Sequence, residues 1–121
     1  MPASDPSTVS PPFHAVIFVS QRTPGDNGYG DESARMVSMV KEQPGFIGME
    51  SVRGADGKGI TVAFFESEEA IRDWGRVEEH RQAQSSGRAS WYESYQLYYS
   101  RVERIRSWAK RSDPDSATGA D

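Results

Sequence analysis

Apolar and polar positions along the chain fall into segments of two different periods. Residues 13–21, FHAVIFVSQ, are dominated by Val, Ile and Phe and give way to a Pro- and Gly-rich stretch, which predicts a first strand. Its density of apolar side chains predicts a central position in a sheet or cover on both faces. The loop that follows, RTPGDNGYG, is long for a small domain, as loops that carry function often are. Over 31–43 the period becomes helical. Ala34, Val37 and Val40 form a stripe with Met36 and Met39 beside it, and Pro44-Gly45 ends the helix. Residues 46–53, FIGMESVR, read as a second strand. An Asp-Gly turn within 54–59 leads into a third, GITVAFFE, with Ile60, Val62 and Phe64 on one face. Ser67 is the expected N-cap of a second helix, with Glu68 and Glu69 in its first turn, where the helix dipole favours acids. That helix should run to about Gln84 with Ala70, Ile71, Trp74 and Val77 as its apolar face, and Ser85-Ser86-Gly87 breaks it. A short helical piece containing Trp91 and Tyr92 and a last strand at about 95–104 complete the expectation.

The order β-α-β-β-α-β is that of an α+β, ferredoxin-like fold: a four-stranded antiparallel sheet with two helices on one face. Phe, Tyr and Val occur on both sides of several strands, so the face without helices also needs cover. A second copy packed sheet to sheet would supply it, and a homodimer is expected. The folded part should span 13–106. Residues 1–12 and 107–121 are polar tails with little to bury and cannot offset the entropy cost of ordering.

The formal net charge of −4 argues against nucleic acid, which normally demands a basic patch. The longest apolar run, AVIFV, is far too short to span a bilayer, and no basic-then-apolar leader opens the sequence. There is no cysteine, so a reducing, cytoplasmic setting is the expectation. With two histidines besides, a tetrahedral zinc site is not expected.

Four stretches, QPGFIGMES, GITVAFFESEEAIRDW, EEHRQAQ and GRASWYESY, resemble the antibiotic biosynthesis monooxygenase family, whose members form dimeric α/β barrels. The resemblance covers roughly 13–106. It implies a pocket between helices and sheet in each protomer. The family includes cofactor-free oxygenases of quinone-type polyketides and heme-degrading enzymes. For the heme-degrading branch the resemblance implies an Asn on the first strand, a Trp early in the second long helix, and a heme-ligating His ten residues after that Trp. Trp74 matches the Trp, Gln21 falls near the Asn position, and Gln84 stands where the His is expected. His80, six residues beyond Trp74, lies about 120° away around the helix and does not replace it without a register change. Heme is therefore not expected.

The candidate site residues each carry a second, structural reading. Trp74 is either a core residue or a pocket wall on which a flat aromatic ligand stacks. His80, at the border of the buried helix face, is either solvated or a general base. Gln21 and Arg22, with Ser20, end the first strand and either anchor the loop or hydrogen-bond a substrate oxygen or oxyanion. Trp91 closes the end of a pocket or packs under a loop, and Tyr29, flanked by glycines, is a candidate lid residue. The leading expectation is a cofactor-independent monooxygenase with molecular oxygen as co-substrate. It would act on a small phenol-, anthrone- or quinone-like compound, with His80 as base and Gln21 steadying the anion. A noncatalytic dimeric binding module for a small aromatic ligand and a heme-binding or heme-degrading variant are the alternatives.

Overall fold

The computed structural model describes residues 8–26, 28–84 and 91–110, the backbone alone for 80–84. The elements are β1 (Phe13–Arg22), α1 (Tyr29–Lys41), β2 (Phe46–Arg53), β3 (Lys58–Phe65), α2 (Glu68–Gln84) and β4 (Tyr92–Val102). This is the expected β-α-β-β-α-β order, and the strands form one open sheet in the order β2-β3-β1-β4 with every pairing antiparallel. β1 is central, as its composition implies. Ser67 caps α2 by accepting from the Ala70 N–H at 3.1 Å. The β2–β3 turn closes through Gly57 at φ 88° and a bond of 2.8 Å from Gly54 N to Lys58 O.

The ends of several elements differ from expectation by one to three residues, those of α1 and β4 most. α1 begins at Tyr29 rather than 31, because the Asp26 carboxylate accepts from the N–H groups of Gly28 and Gly30, at 3.1 and 3.0 Å, and nucleates the first turn early. Tyr92 is not helical. β1 is long enough to pair as far as Arg22 with Tyr92, so β4 starts there; of the expected short helical piece, Trp91 sits in a 3₁₀ turn and residues 85–90 lie outside the described residues. Of the expected tails, residues 1–7 and 111–121 lie outside the described residues.

Side chains alternate across the sheet. Val16 and Phe18 of β1 face the helices together with their ladder neighbours Tyr99, Leu97, Ala63 and Thr61. Ile17 and Val19 face the other way, beside Val62, Ile60 and Tyr98. The helices meet the sheet around Phe65, which is 0% exposed and packs with Val40 of α1 and Ala70 and Ile71 of α2. Gly45 makes this join possible. Its φ is +84°, and a Cβ there would lie 2.8 Å from the Cβ of Ala70, so the α1–β2 turn presses directly on the start of α2. The α1 stripe is rotated from expectation: Ala34 is exposed, and Glu32, Met36, Val37 and Val40 turn inward.

Phe65→Ala should remove the common anchor of both helices. A loss of about 3–5 kcal/mol is expected, as for buried Phe truncations generally, read as a lower urea midpoint at unchanged slope. A loss under about 1 kcal/mol would contradict this account of the core.

Candidate functional site

A cavity of about 600 Å³ lies between the two helices and the inner sheet face, reaching from Val40, Phe65 and Ile71 to Tyr29 and Trp91. Val16, Phe18, Met49 and Ala63 contribute to its floor, Met36 and Val37 of α1 and Trp74 and Gly75 of α2 to its roof. Tyr29, Trp91, Tyr92 and Tyr95 form one end wall. There the rings meet edge-on, with centroids 5.8 Å apart for Tyr29 with Trp91 and with Tyr92, and 5.4 Å for Phe18 with Tyr92. Edge-to-face packing fixes ring directions as well as positions.

Polar groups gather at this same end. Arg22 donates to the carbonyls of Thr23, Gly25, Asp26 and Trp91 at 3.0–3.3 Å, which ties the long loop to the start of β4. So placed, its guanidinium lies over the Tyr29 ring at 3.8 Å. From β2, Arg53 reaches across the ladder. It donates to the Gly57 carbonyl, to the buried Ser20 hydroxyl at 3.0 Å and to the Tyr29 hydroxyl at 3.3 Å. Gly59, paired with Arg53, leaves room for this, since a Cβ there would lie 2.6 Å from the guanidinium carbon. The Tyr92 hydroxyl also donates to the Tyr29 hydroxyl, in a long contact of 3.3 Å. Burial works against ionising Tyr29. The bond from Tyr92, the charge and bond of Arg53 and the Ser33 hydroxyl together outweigh it and hold the phenol below the usual tyrosine value. Tyr92 goes the opposite way: burial, then its bond to Tyr29 and repulsion from that group, push it well above the usual value.

Three carboxylates enter the lining: Glu32, Glu78 and, from β4, Glu93. Glu32 is 4% exposed and pairs with Arg35 one turn on, at 3.2 Å. Glu78 stands one turn beyond Trp74, and burial, then the charge of Glu79, raise its carboxyl above the ordinary range.

Of the expected site residues, Trp74, Trp91 and Tyr29 line the cavity. Arg22 stands behind Tyr29 and holds it rather than facing the space. Gln21 is not brought to the site. Strand alternation turns it to the face opposite Phe18, where its Nε2 donates to the Asp56 carbonyl at 2.7 Å and steadies the β2–β3 turn. His80 falls on α2, its side chain outside the described residues. Sequence reasoning missed Arg53 and Glu78. Spacing carried a signal for Glu78, four residues after Trp74 and seven after Ile71, on the face that had been assigned to Val77. For Arg53 the signal was a glycine-rich partner strand, legible only with the register known.

The raised carboxyl of Glu78 fixes a pH dependence. Above its folded-state value the group is charged in both folded and unfolded protein, and burying that charge costs stability. Below the ordinary value of 4.5 it is neutral in both. Glu78→Gln should therefore melt higher than the native protein at neutral pH, with the advantage shrinking as pH falls through the raised value and gone below 4.5. Scanning calorimetry across that range checks it; a pH-independent difference would contradict the burial of the charge.

The chain is similar to proteins of one kind. The antibiotic biosynthesis monooxygenase family model matches residues 12–86. The uncharacterized protein YqjZ of Bacillus subtilis is 46% identical over 106 residues, covering 88% of this chain and 93% of that protein. Among solved structures, a point mutant of SnoaB, a cofactor-independent oxygenase from Streptomyces nogalater, superposes with a TM-score of 0.60 at 14% identity, over 84% of this chain and 97% of that one. A point mutant of MhuD, solved with two manganese protoporphyrin IX molecules per active site, does so with a TM-score of 0.55 at 19% identity, over 79% of this chain and 98% of that one. These last two likenesses concern the fold, whereas the family match spans more than half of the sequence, and the chain belongs to the antibiotic biosynthesis monooxygenase family.

Proposed function

We propose that the protein is a cofactor-independent monooxygenase that takes a small phenol-, anthrone- or quinone-like compound, with molecular oxygen as co-substrate. The observation that carries this reading is the division of the cavity. An aromatic and aliphatic interior leads to one polar end, where hydrogen-bond donors and two guanidinium groups surround a phenol. A flat ring stacks along Trp74 and the floor, and its hydroxyl or carbonyl oxygen lies toward Tyr29. Loss of a proton makes the ligand an electron-rich enolate, which reduces oxygen. For an anthrone the methylene becomes a carbonyl: one oxygen atom enters the product and the other leaves as water. The protein's share is to exclude water, orient the ring and stabilise the anion. SnoaB, described as a cofactor-independent oxygenase, has the same fold and supports the choice of reaction class. Gln84, at the position where a heme ligand is expected, weighs against a heme-handling role.

Oxygen consumption with anthrone tests the reading. Uptake should be stoichiometric with anthraquinone formed and should fall at least roughly tenfold in Trp74→Ala if the ring contributes about 1.4 kcal/mol or more to positioning the ligand. Saturable anthrone binding without oxygen uptake would favour a noncatalytic binding module instead.

The working form proposed is a homodimer. The sheet face away from the helices carries Val52, Ile60 and Tyr98, which are 70%, 42% and 49% exposed, beside Ile17, Val19 and Val62. Apolar surface of this extent on one flat face is what a second sheet covers. Light scattering at micromolar concentration should give a dimer mass, and Ile60→Lys should shift it toward monomer. A monomer in the native protein would overturn this part.

A further inference from the structure

The geometry points to Tyr29 as the proton acceptor of the cavity: as its phenolate it takes the hydroxyl or acidic C–H proton of an aromatic ligand, leaving the ligand as an enolate or phenolate and Tyr29 as a neutral phenol. This rests on reading the cavity as an aromatic-ligand site, and it gives the role to Tyr29 rather than to His80. The step moves one proton and no electrons.

Tyr29 lines the cavity from the first turn of α1, and two donors approach its oxygen, Arg53 Nη2 and the Tyr92 hydroxyl, each at 3.3 Å. Two donors aimed at one phenol oxygen favour the form that only accepts. Arg22 stacks on the ring face, and the guanidinium carbon of Arg53 lies 5.7 Å from the ring centroid. A phenolate ring attracts such cations more strongly than a phenol does. Among the described residues neither arginine has a carboxylate partner. Arg22 donates to carbonyls, and Arg53 to a carbonyl and two hydroxyls, so both charges remain available to Tyr29.

Carboxylates lie nearby as well. The Asp26 carboxylate in the loop bonds the N–H groups that begin α1, and Glu32 on α1 pairs with Arg35. Glu78 on α2 and Glu93 on β4 line the same cavity. Chemistry matches as well, since a tyrosine is itself a phenol. Transfer then runs between groups of like acidity, and the lowering of Tyr29 moves its phenolate toward the operating pH, where a general base works best. Once protonated, Tyr29 can donate back to the ligand's anionic oxygen.

Two measurements on the full chain test this. The first needs no ligand: near-ultraviolet titration of tyrosine ionisation. The native protein should show one tyrosine ionising at lower pH than the others, absent in Tyr29→Phe and moved to higher pH in Arg53→Gln. A native protein whose tyrosines all ionise together at the ordinary value or above overturns the proposal, whatever the enzyme does. The second uses anthrone. Tyr29→Phe should bind it within about threefold of the native protein while oxygen uptake falls roughly 10²–10⁴-fold. The rise of the native rate with pH should disappear, leaving only the slow reaction that follows ionisation of anthrone itself. Unchanged uptake in Tyr29→Phe, or loss of the rise in His80→Ala alone, overturns the assignment to Tyr29. Failure of the native protein to bind anthrone at all overturns the reading of the cavity instead, and the titration still decides whether Tyr29 ionises.

Discussion

Both helices are fastened to the sheet around one side chain. Phe65 ends β3, and the close of α1 and the opening of α2 converge on it, so one buried ring fixes the height and angle of the whole helical layer. At the far end α1 is fastened again, where Tyr29 packs edge-on against Trp91 and Tyr92 and accepts a hydrogen bond from Arg53. A layer held evenly along its length would collapse onto the strands and fill the interior, as protein cores generally do. Held near its ends, it leaves the cavity between them, lined from Phe65 and Ile71 to Tyr29 and Trp91. Binding space here follows from where packing is concentrated, and the pressed turn at Gly45 is the local adjustment that permits it.

The polar end of that cavity depends on backbone features of the neighbouring loops. Arg22 is tied down by carbonyls of the long loop and of Trp91, and Asp26 starts α1 at the residue whose ring Arg22 then covers. The six residues between β1 and α1 are thereby used: they wrap an arginine and deliver a tyrosine. A shorter connection could still join β1 to α1, but it could not do both. Arg53 arrives from another strand altogether and reaches the same phenol because Gly59 leaves its place on the ladder empty.

Most of the fold was legible in the sequence because it is written in short-range signals. The apolar run in 13–21, the Asp-Gly turn, the Ser67 cap and the Pro44-Gly45 stop each act over a few residues, and each appears in the structure where expected. The site was only partly legible. Trp74, Trp91 and Tyr29 stood out as large aromatics at helix faces and element ends, and all three face the cavity. Gln21 was misplaced because the parity of a strand decides which way its last residues turn, and parity is set by cross-strand register rather than by residue type. Glu78 was passed over in favour of Val77, since hydrophobicity alone ranks valine as the inward residue. The true inward stripe follows from how α2 leans on Phe65, which no local pattern records. Arg53 belongs to a pairing between two strands and a third element, a contact that exists only in three dimensions.

The alternation along β1 has a consequence for how this chain can change over time. Even-numbered positions such as Val16 and Phe18 shape the cavity, while Ile17 and Val19 between them belong to the outer face. Substitutions can therefore remodel one side while leaving the other intact, so ligand preference is free to drift without rewriting the opposite surface. Gain or loss of a single residue within the strand has the reverse effect. It would exchange the two sets, send the cavity floor outward and bring the outer face in. The central strand can thus accept many replacements but no change of length, and variation in length is left to the loops at its ends.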